Sequence, residues 1–254
     1  MRKYKLKILF SFVLIVGIVI YFSEFQKTNA ANILVQSKFD IANPTTVTFD
    51  NSVTVGNLVI VAVTAFNNII DEADISDNKG NTYTRIAELK ETVFNENHVA
   101  LFYTIVATGG TSFTVTSAAT DDTVGLYEYS GIITTTPLDT SNTAVGTADN
   151  PTVSITRGTA NDLIFAVMVD YSDEQAITAG TGYTILNTQI DSDTHEKFGS
   201  EHLLDGGASG AKAVSFTNAG PDGWAIIAAS FKPVAAATSP TILQDDGQWF
   251  LLFN

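Results

Sequence analysis

The eight residues His195-Glu196-Lys197-Phe198-Gly199-Ser200-Glu201-His202 hold two imidazoles and two carboxylates. Side chains an even number of positions apart share one face of an extended strand. Glu196 and His202 would therefore point the same way, as a carboxylate–imidazole pair for proton transfer needs. The plainer alternative is an exposed strand and turn with these polar groups in water. Glu128, within Glu128-Tyr129-Ser130-Gly131, would suit glycoside hydrolysis only with a second carboxylate at a set separation; otherwise it is an ordinary glutamate at a strand edge. Zinc sites of known spacing are excluded, since the chain has no cysteine and its three histidines, His98, His195 and His202, form no His-Glu-x-x-His pattern. No Gly-x-Ser-x-Gly elbow and no Lys-bearing phosphate loop occurs, which removes the familiar nucleophilic and phosphoryl-transfer classes.

Binding chemistry has more material. The loop from Asn67 to Asn78 carries Asp71, Glu72, Asp74 and Asp77 among amide side chains, an oxygen-rich group of the kind calcium prefers, without the spacing of an EF-hand. The alternative is a solvated acidic loop. Trp224, Tyr171, Tyr183 and Phe66 stand at expected strand ends, where a ring can stack on a sugar or instead close the end of a core. Lys38 and Lys212 lie in expected strands and invite comparison with exported sandwiches that cross-link a buried lysine to Asn or Asp, although most strand lysines face water.

The elements that must position these residues are strands. Short apolar runs rich in Val, Ile, Thr, Phe and Tyr are separated by Gly, Asn, Asp and Ser, and no amphipathic helix of useful length follows residue 30. The expected strands are 32–38, 45–50, 57–66, 82–93, 98–107, 111–117, 123–130, 151–156, 161–171, 182–190, 199–205, 211–217 and 223–232. The runs 57–66, 161–169 and 224–231 are apolar on both faces and should be central strands covered on both sides. The stretch 82–93 alternates, which predicts one wet face, and 132–150 reads as a long polar crossover. Gly56-Asn57-Leu58-Val59-Ile60-Val61 is echoed by Asn161-Asp162-Leu163-Ile164-Phe165-Ala166, Asn81-Thr82-Tyr83-Thr84 by Thr181-Gly182-Tyr183-Thr184, and Val124 to Gly131 by Trp224 to Phe231. The expected fold is all-β, a jelly-roll-like β-sandwich made of two related halves. Two topologies fit: one sandwich in which both halves feed both sheets, or two tandem immunoglobulin-like domains split near residue 140. A doubly buried strand needs a second layer that half a chain can hardly supply, which favours the first.

Arg2, Lys3, Lys5 and Lys7 precede an apolar run from Ile8 to Phe22 and a polar stretch ending Thr28-Asn29-Ala30, the layout of an export signal cleaved after Ala30. An uncleaved signal anchor is the rival, but fifteen helical residues at about 1.5 Å each fall short of the ~30 Å of hydrocarbon. Either way residues 31–233 form the β-sandwich domain and lie outside the membrane. Residues 1–30 carry five Lys or Arg and one Glu, so their removal takes the net charge from −14 to −18. Such a surface repels nucleic acid and anionic lipid, leaving the N-terminal helix, if uncleaved, as the only expected membrane contact. A domain this long needs no disulfide staples. After Lys232 a Pro- and Ala-rich linker leads into the apolar segment 241–254, read as a hairpin folding back on the sandwich, as a strand added to a neighbouring copy, or as the start of a further domain.

Asn32-Ile33-Leu34-Val35-Gln36, Thr54-Val55-Gly56-Asn57-Leu58-Val59-Ile60-Val61-Ala62-Val63, Ser76-Asp77-Asn78-Lys79-Gly80-Asn81-Thr82-Tyr83 and Glu128-Tyr129-Ser130-Gly131 together resemble a β-sandwich module recurring in exported and surface proteins of bacteria and in some phage proteins. The resemblance covers about residues 32–233 and implies a cell-surface or adhesive setting without an assigned reaction. The expected function is a non-enzymatic extracellular structural or adhesive domain, with a surface glycan or neighbouring surface protein as partner. The alternatives are a carbohydrate-binding module, with Trp224, Tyr171 and Tyr183 in the site, and an enzyme using the His195–His202 region. Calcium at Asp71, Glu72, Asp74 and Asp77 is the one expected ion.

Overall fold

Alternating apolar residues on a strand bury one face; the central strands here are apolar at every position and must be covered twice. The computed structural model describes residues 31–42, 45–119, 122–171, 176–191, 195–217 and 223–235, and the backbone of 241–245 and 248–252. The first half supplies β1 (Ile33–Ala42), β2 (Thr46–Thr48), β3 (Leu58–Phe66), β4 (Ile75–Asp77), β5 (Thr84–Lys90), β6 (Asn97–Ile105), β7 (Thr114–Ser117) and β8 (Asp122–Ser130). The second supplies β9 (Leu138–Gly146), β10 (Thr152–Arg157), β11 (Leu163–Tyr171), β12 (Thr184–Asp191), β13 (Glu196–Leu203), β14 (Gly210–Ser215) and β15 (Trp224–Phe231). β16 (Thr241–Asp245) and β17 (Gln248–Leu252) pair as an antiparallel hairpin, and the expected N-terminal signal or anchor helix lies outside the described residues.

Each half builds a five-stranded antiparallel sheet, ordered β1-β8-β3-β6-β5 in the first and β9-β15-β11-β13-β12 in the second. Each also builds a small sheet, β2-β7-β4 in the first half and β10-β14 in the second. The strands thus correspond in order, except that β4 has no counterpart strand among the described residues of the second half. Two irregularities recur at matching places: an extra residue at Val35 and at Asp139 in the first strand of each half, and at Ile86 and Leu186 opposite β6 and β13. Gly56 and Asn161, at equivalent positions before β3 and β11, both take left-handed backbone, φ +88 and 59. Here the glycine of one half and the asparagine of the other are the two residue types that tolerate this conformation best.

The layers explain the double burial. Val59, Val61 and Val63 of β3 face the first small sheet with Val47, Phe113 and Val115, while Leu58, Ile60 and Ala62 face the second large sheet. In β11, Phe165, Val167 and Val169 meet that same central core, and Ile164, Ala166 and Met168 pack under β10 and β14. Rings cross the central layer, with Phe39 to Phe198 at 5.2 Å, Tyr127 to Phe165 at 4.8 Å and Tyr103 to Phe231 at 5.5 Å. The second layer is therefore the other half's large sheet. Neither half lends a strand to the other's sheets, which corrects the shared-sheet topology favoured above. The segment read as a polar crossover contains β9, an edge strand paired with β15 alone and half open to water, so its Thr, Ser and Asn residues are not penalised. β5 shows no clean wet face, because the extra residue at Ile86 breaks the alternation.

Both large sheets point the same way. At one end, called the base, Ala31 lies against Gly131, and Val234 N–H donates to the Gly131 carbonyl at 2.7 Å. Asn32 Nδ2 donates to the carbonyls of Asn161 and Leu204 across the two halves. The far end carries the close of β3 and β11 and the start of β6 and β13. Phe165→Ala should lower stability by about 3–5 kcal/mol in urea titrations. Because the central core belongs to both halves, residues 31–234 should unfold in one transition; two resolved transitions would contradict the shared core.

Candidate functional site

Glu196 and His202 do share a face of β13, but a shared face is not proximity. Six residues of strand cover about 20 Å. Glu196 and His202 both point into the central layer at opposite ends of β13: Glu196 accepts from the Thr64 hydroxyl near the far end, and His202 Nδ1 pairs with the Tyr129 hydroxyl at 2.9 Å near the base. Between them Ser200 pairs with the Tyr127 hydroxyl at 2.7 Å, and that hydroxyl donates to Asn187 Oδ1 at 3.1 Å. The carboxylate–imidazole pair is not assembled; its members are polar ties between sheets. Glu128 is fully buried and accepts from Thr54 N–H, Asn57 Nδ2 and Gln36 Nε2 at 2.9, 2.6 and 2.6 Å, clamping the turn before β3 onto β8 and β1.

The four acidic residues proposed for calcium serve backbone and side-chain donors. Asp71 pairs with Arg85 at 2.8 Å, Glu72 accepts Arg85 N–H, and Asp74 accepts Asp71 N–H. Asp77 accepts from Lys79 N–H, Asn81 and the Tyr83 hydroxyl. Among the described residues no group of three or more such side chains converges as a metal site. Trp224 is buried against the second small sheet, with its Nε1 donating to the Ala148 carbonyl at 2.7 Å, and Tyr183 donates to the Ala213 carbonyl at 3.1 Å. Both rings close the core instead of facing a ligand. Lys38 pairs with Asp50 at 2.9 Å on the surface and Lys212 is half-buried on β14, so neither sits in a dry interior.

Tyr171 is different. At the far end it stacks on Phe94 with ring centroids 3.9 Å apart and on His195 at 5.2 Å. Phe94 belongs to the first half and is 50% exposed beside Val93, so the stack bridges the halves and opens to solvent. The Phe94 loop is held from below by Glu91, which is fully buried and accepts the N–H groups of Val93, Phe94 and Glu96 at 2.6, 3.1 and 3.0 Å. Asn95 in that loop and His195 opposite both take left-handed backbone, φ 59 and 55. Buried Asn97 donates to the carbonyls of Asp170 and His195, tying both sides together. The chain matches no family model, no curated protein and no solved structure. The aromatic stack is thus the exposed assembled feature on which a binding reading can stand. Sequence reasoning had Tyr171 but missed Glu91, which falls within the alternating strand expected over 82–93, and Phe94, which follows it directly. The pattern Glu91-x-x-x-Asn95-x-Asn97, an acid followed by turn-forming residues, was the available signal.

Burial acts oppositely on two neighbours of β13. It pushes Glu201 up from 4.5 to about 7, against a hydrogen bond from Gly180 N–H, and pushes His202 down from 6.5 to about 4. The folded state therefore keeps a proton on Glu201 that the unfolded chain releases, so this residue costs stability as pH rises from about 4.5 to 7. His202 does the reverse: its contribution is complete above about 6.5 and is lost as pH falls towards 4. The two slopes oppose each other between about pH 4.5 and 6.5. Glu201→Gln should remove the falling contribution, so that stability to urea rises more steeply, or falls less, with pH over that interval than in the parent. A Glu201→Gln profile no different in slope from the parent's would refute the assignment.

Proposed function

We propose that the chain is an exported, non-enzymatic structural or adhesive module, held at its base and touching its surroundings with the far end. The observation that carries this reading is the meeting of Ala31, Gly131 and Val234 at the base, where the folded unit both begins and ends. The opposite end is left to loops from both halves, with the Phe94–Tyr171–His195 stack among them.

Three features support it. The signal-like layout of residues 1–30 and the charge of −18 after their removal suit a protein working outside the cell or on its surface. The carboxylates first considered for catalysis, Glu196 and Glu128, are spent on internal bonds. Within each half the first strand pairs the last, the second the last but one, and the third its counterpart (β1·β8, β2·β7, β3·β6 and β9·β15, β10·β14, β11·β13), the wrapping of a jelly roll. The jelly-roll-like description then belongs to each half, and the pair is a doubled module. A carbohydrate-binding module is the second reading, favoured by the solvent-facing Phe94 ring over Tyr171. Nucleic acid is not a partner on charge grounds, and the membrane enters only through residues 1–30 if these stay attached.

Cells exporting the chain should attach to surfaces or to one another more than cells lacking it. The double variant Phe94→Ala, Tyr171→Ala should reduce that attachment several-fold while the exported amount and melting temperature hold. Attachment that follows the presence of the chain but ignores both rings would move the contacting surface away from the far end.

A further inference from the structure

The far-end stack has a definite electrostatic setting. Of the described charged residues around its rings, Glu96 reaches the surface, Glu91, Asp170 and Glu196 are buried together with the cation Lys197, and Lys90 at the end of β5 is exposed. The whole chain after residue 30 carries −18. An aromatic ring presents a negative face, and a surface that is negative as a whole brings cations to it at long range. A guanidinium plane also stacks flat on a phenyl ring, which an ammonium does not.

The stack is pre-arranged as well. Three backbone N–H groups of the Phe94 loop end on Glu91, and Asn97 holds the carbonyls of Asp170 and His195. The left-handed backbone at Asn95 and His195 is uncommon for residues other than glycine and persists because these contacts dictate it. A half-exposed phenyl ring held in place loses little freedom when a partner covers it.

We infer that the Phe94–Tyr171–His195 stack is a docking site for arginine side chains of a basic polypeptide partner. This rests on the reading that the far end is the contacting end. Charge complementarity selects the occupant: a basic chain is drawn to the acidic surface at long range, and the rings give one guanidinium a specific seat.

The test uses a fluorescein-labelled oligo-arginine peptide and the full exported chain, with fluorescence anisotropy at about 50 mM and about 500 mM salt. Binding is expected for the parent protein and for Phe94→Tyr, and should weaken with salt. Phe94→Ala, with net charge unchanged, should bind about tenfold less tightly while keeping the parent's melting temperature. Absence of peptide binding overturns the proposal. So does binding that follows salt but ignores Phe94, and so does capture of a neutral cello-oligosaccharide lost on Phe94→Ala. If attachment of cells still requires Phe94 when the peptide fails, the cation is wrong and the contacting end stands; if attachment ignores Phe94 as well, both readings fall.

Discussion

Everything in this protein depends on sheets that are apolar on both faces. A strand such as β3, buried at all but its last residue, leaves no side for water, so a two-layer half would expose the inner face of its large sheet. Joining the large sheets face to face removes both exposed faces at once. Hydrophobic burial is non-directional and does not by itself fix how two flat apolar sheets slide over each other. The polar ties in the central layer supply that register: Thr64 to Glu196, Tyr127 to Ser200 and Asn187, and Tyr129 to His202. A slip of one sheet would strand each of these groups without a partner in a dry layer, which costs more than the bonds themselves contribute.

The duplicated halves show which details the fold needs and which it tolerates. Bulges and left-handed turns recur at matching positions, because both shape the edge and the entry of a central strand. The buried acid does not recur. Glu128 on β8 grips Asn57, whereas at the equivalent places the second half has Ser230 and Asp162, and Asp162 pairs with buried Arg157 at 2.5 Å. The same junction between strand and turn is thus held once by a carboxylate on the last strand and once by a carboxylate before the central strand. What is retained is a buried carboxylate at the junction, not its position in the chain.

Much of the fold was legible because burial leaves a pattern. Continuous apolar runs identified β3, β11 and β15 as central, and the similar Leu-Val-Ile and Leu-Ile-Phe segments marked β3 and β11 as occupying matching places in the two large sheets. β9 was not legible, since an edge strand half open to water tolerates the Thr and Asn that elsewhere mark a loop. The Glu196–His202 pair, raised as an alternative, failed on distance: periodicity reports which face a side chain uses and says nothing of the length of strand between two of them. Trp224 failed for a related reason, because a ring at a strand end reads alike whether it caps a core or faces a ligand. Tyr171 escaped that fate through Phe94, a residue distant in sequence that only the packing of one half on the other brings within stacking range.

That contrast points to where new function can arise on such a frame. The Phe94 loop joins β5 to β6, and the segment ending in His195 joins β12 to β13, so the two are counterparts placed side by side by the doubled architecture. In the core, equivalent positions must stay mutually compatible, since each large sheet is the other's second layer. At the far end no such constraint acts, and loops there vary without unseating the sheets. The first half has used that freedom to build a loop fastened on a buried glutamate and carrying a phenyl ring outward, and the second half presents Tyr171 and His195 to meet it. A symmetric frame with an asymmetric tip lets one surface specialise while stability is carried elsewhere, and the tip is complete only when both halves are folded together.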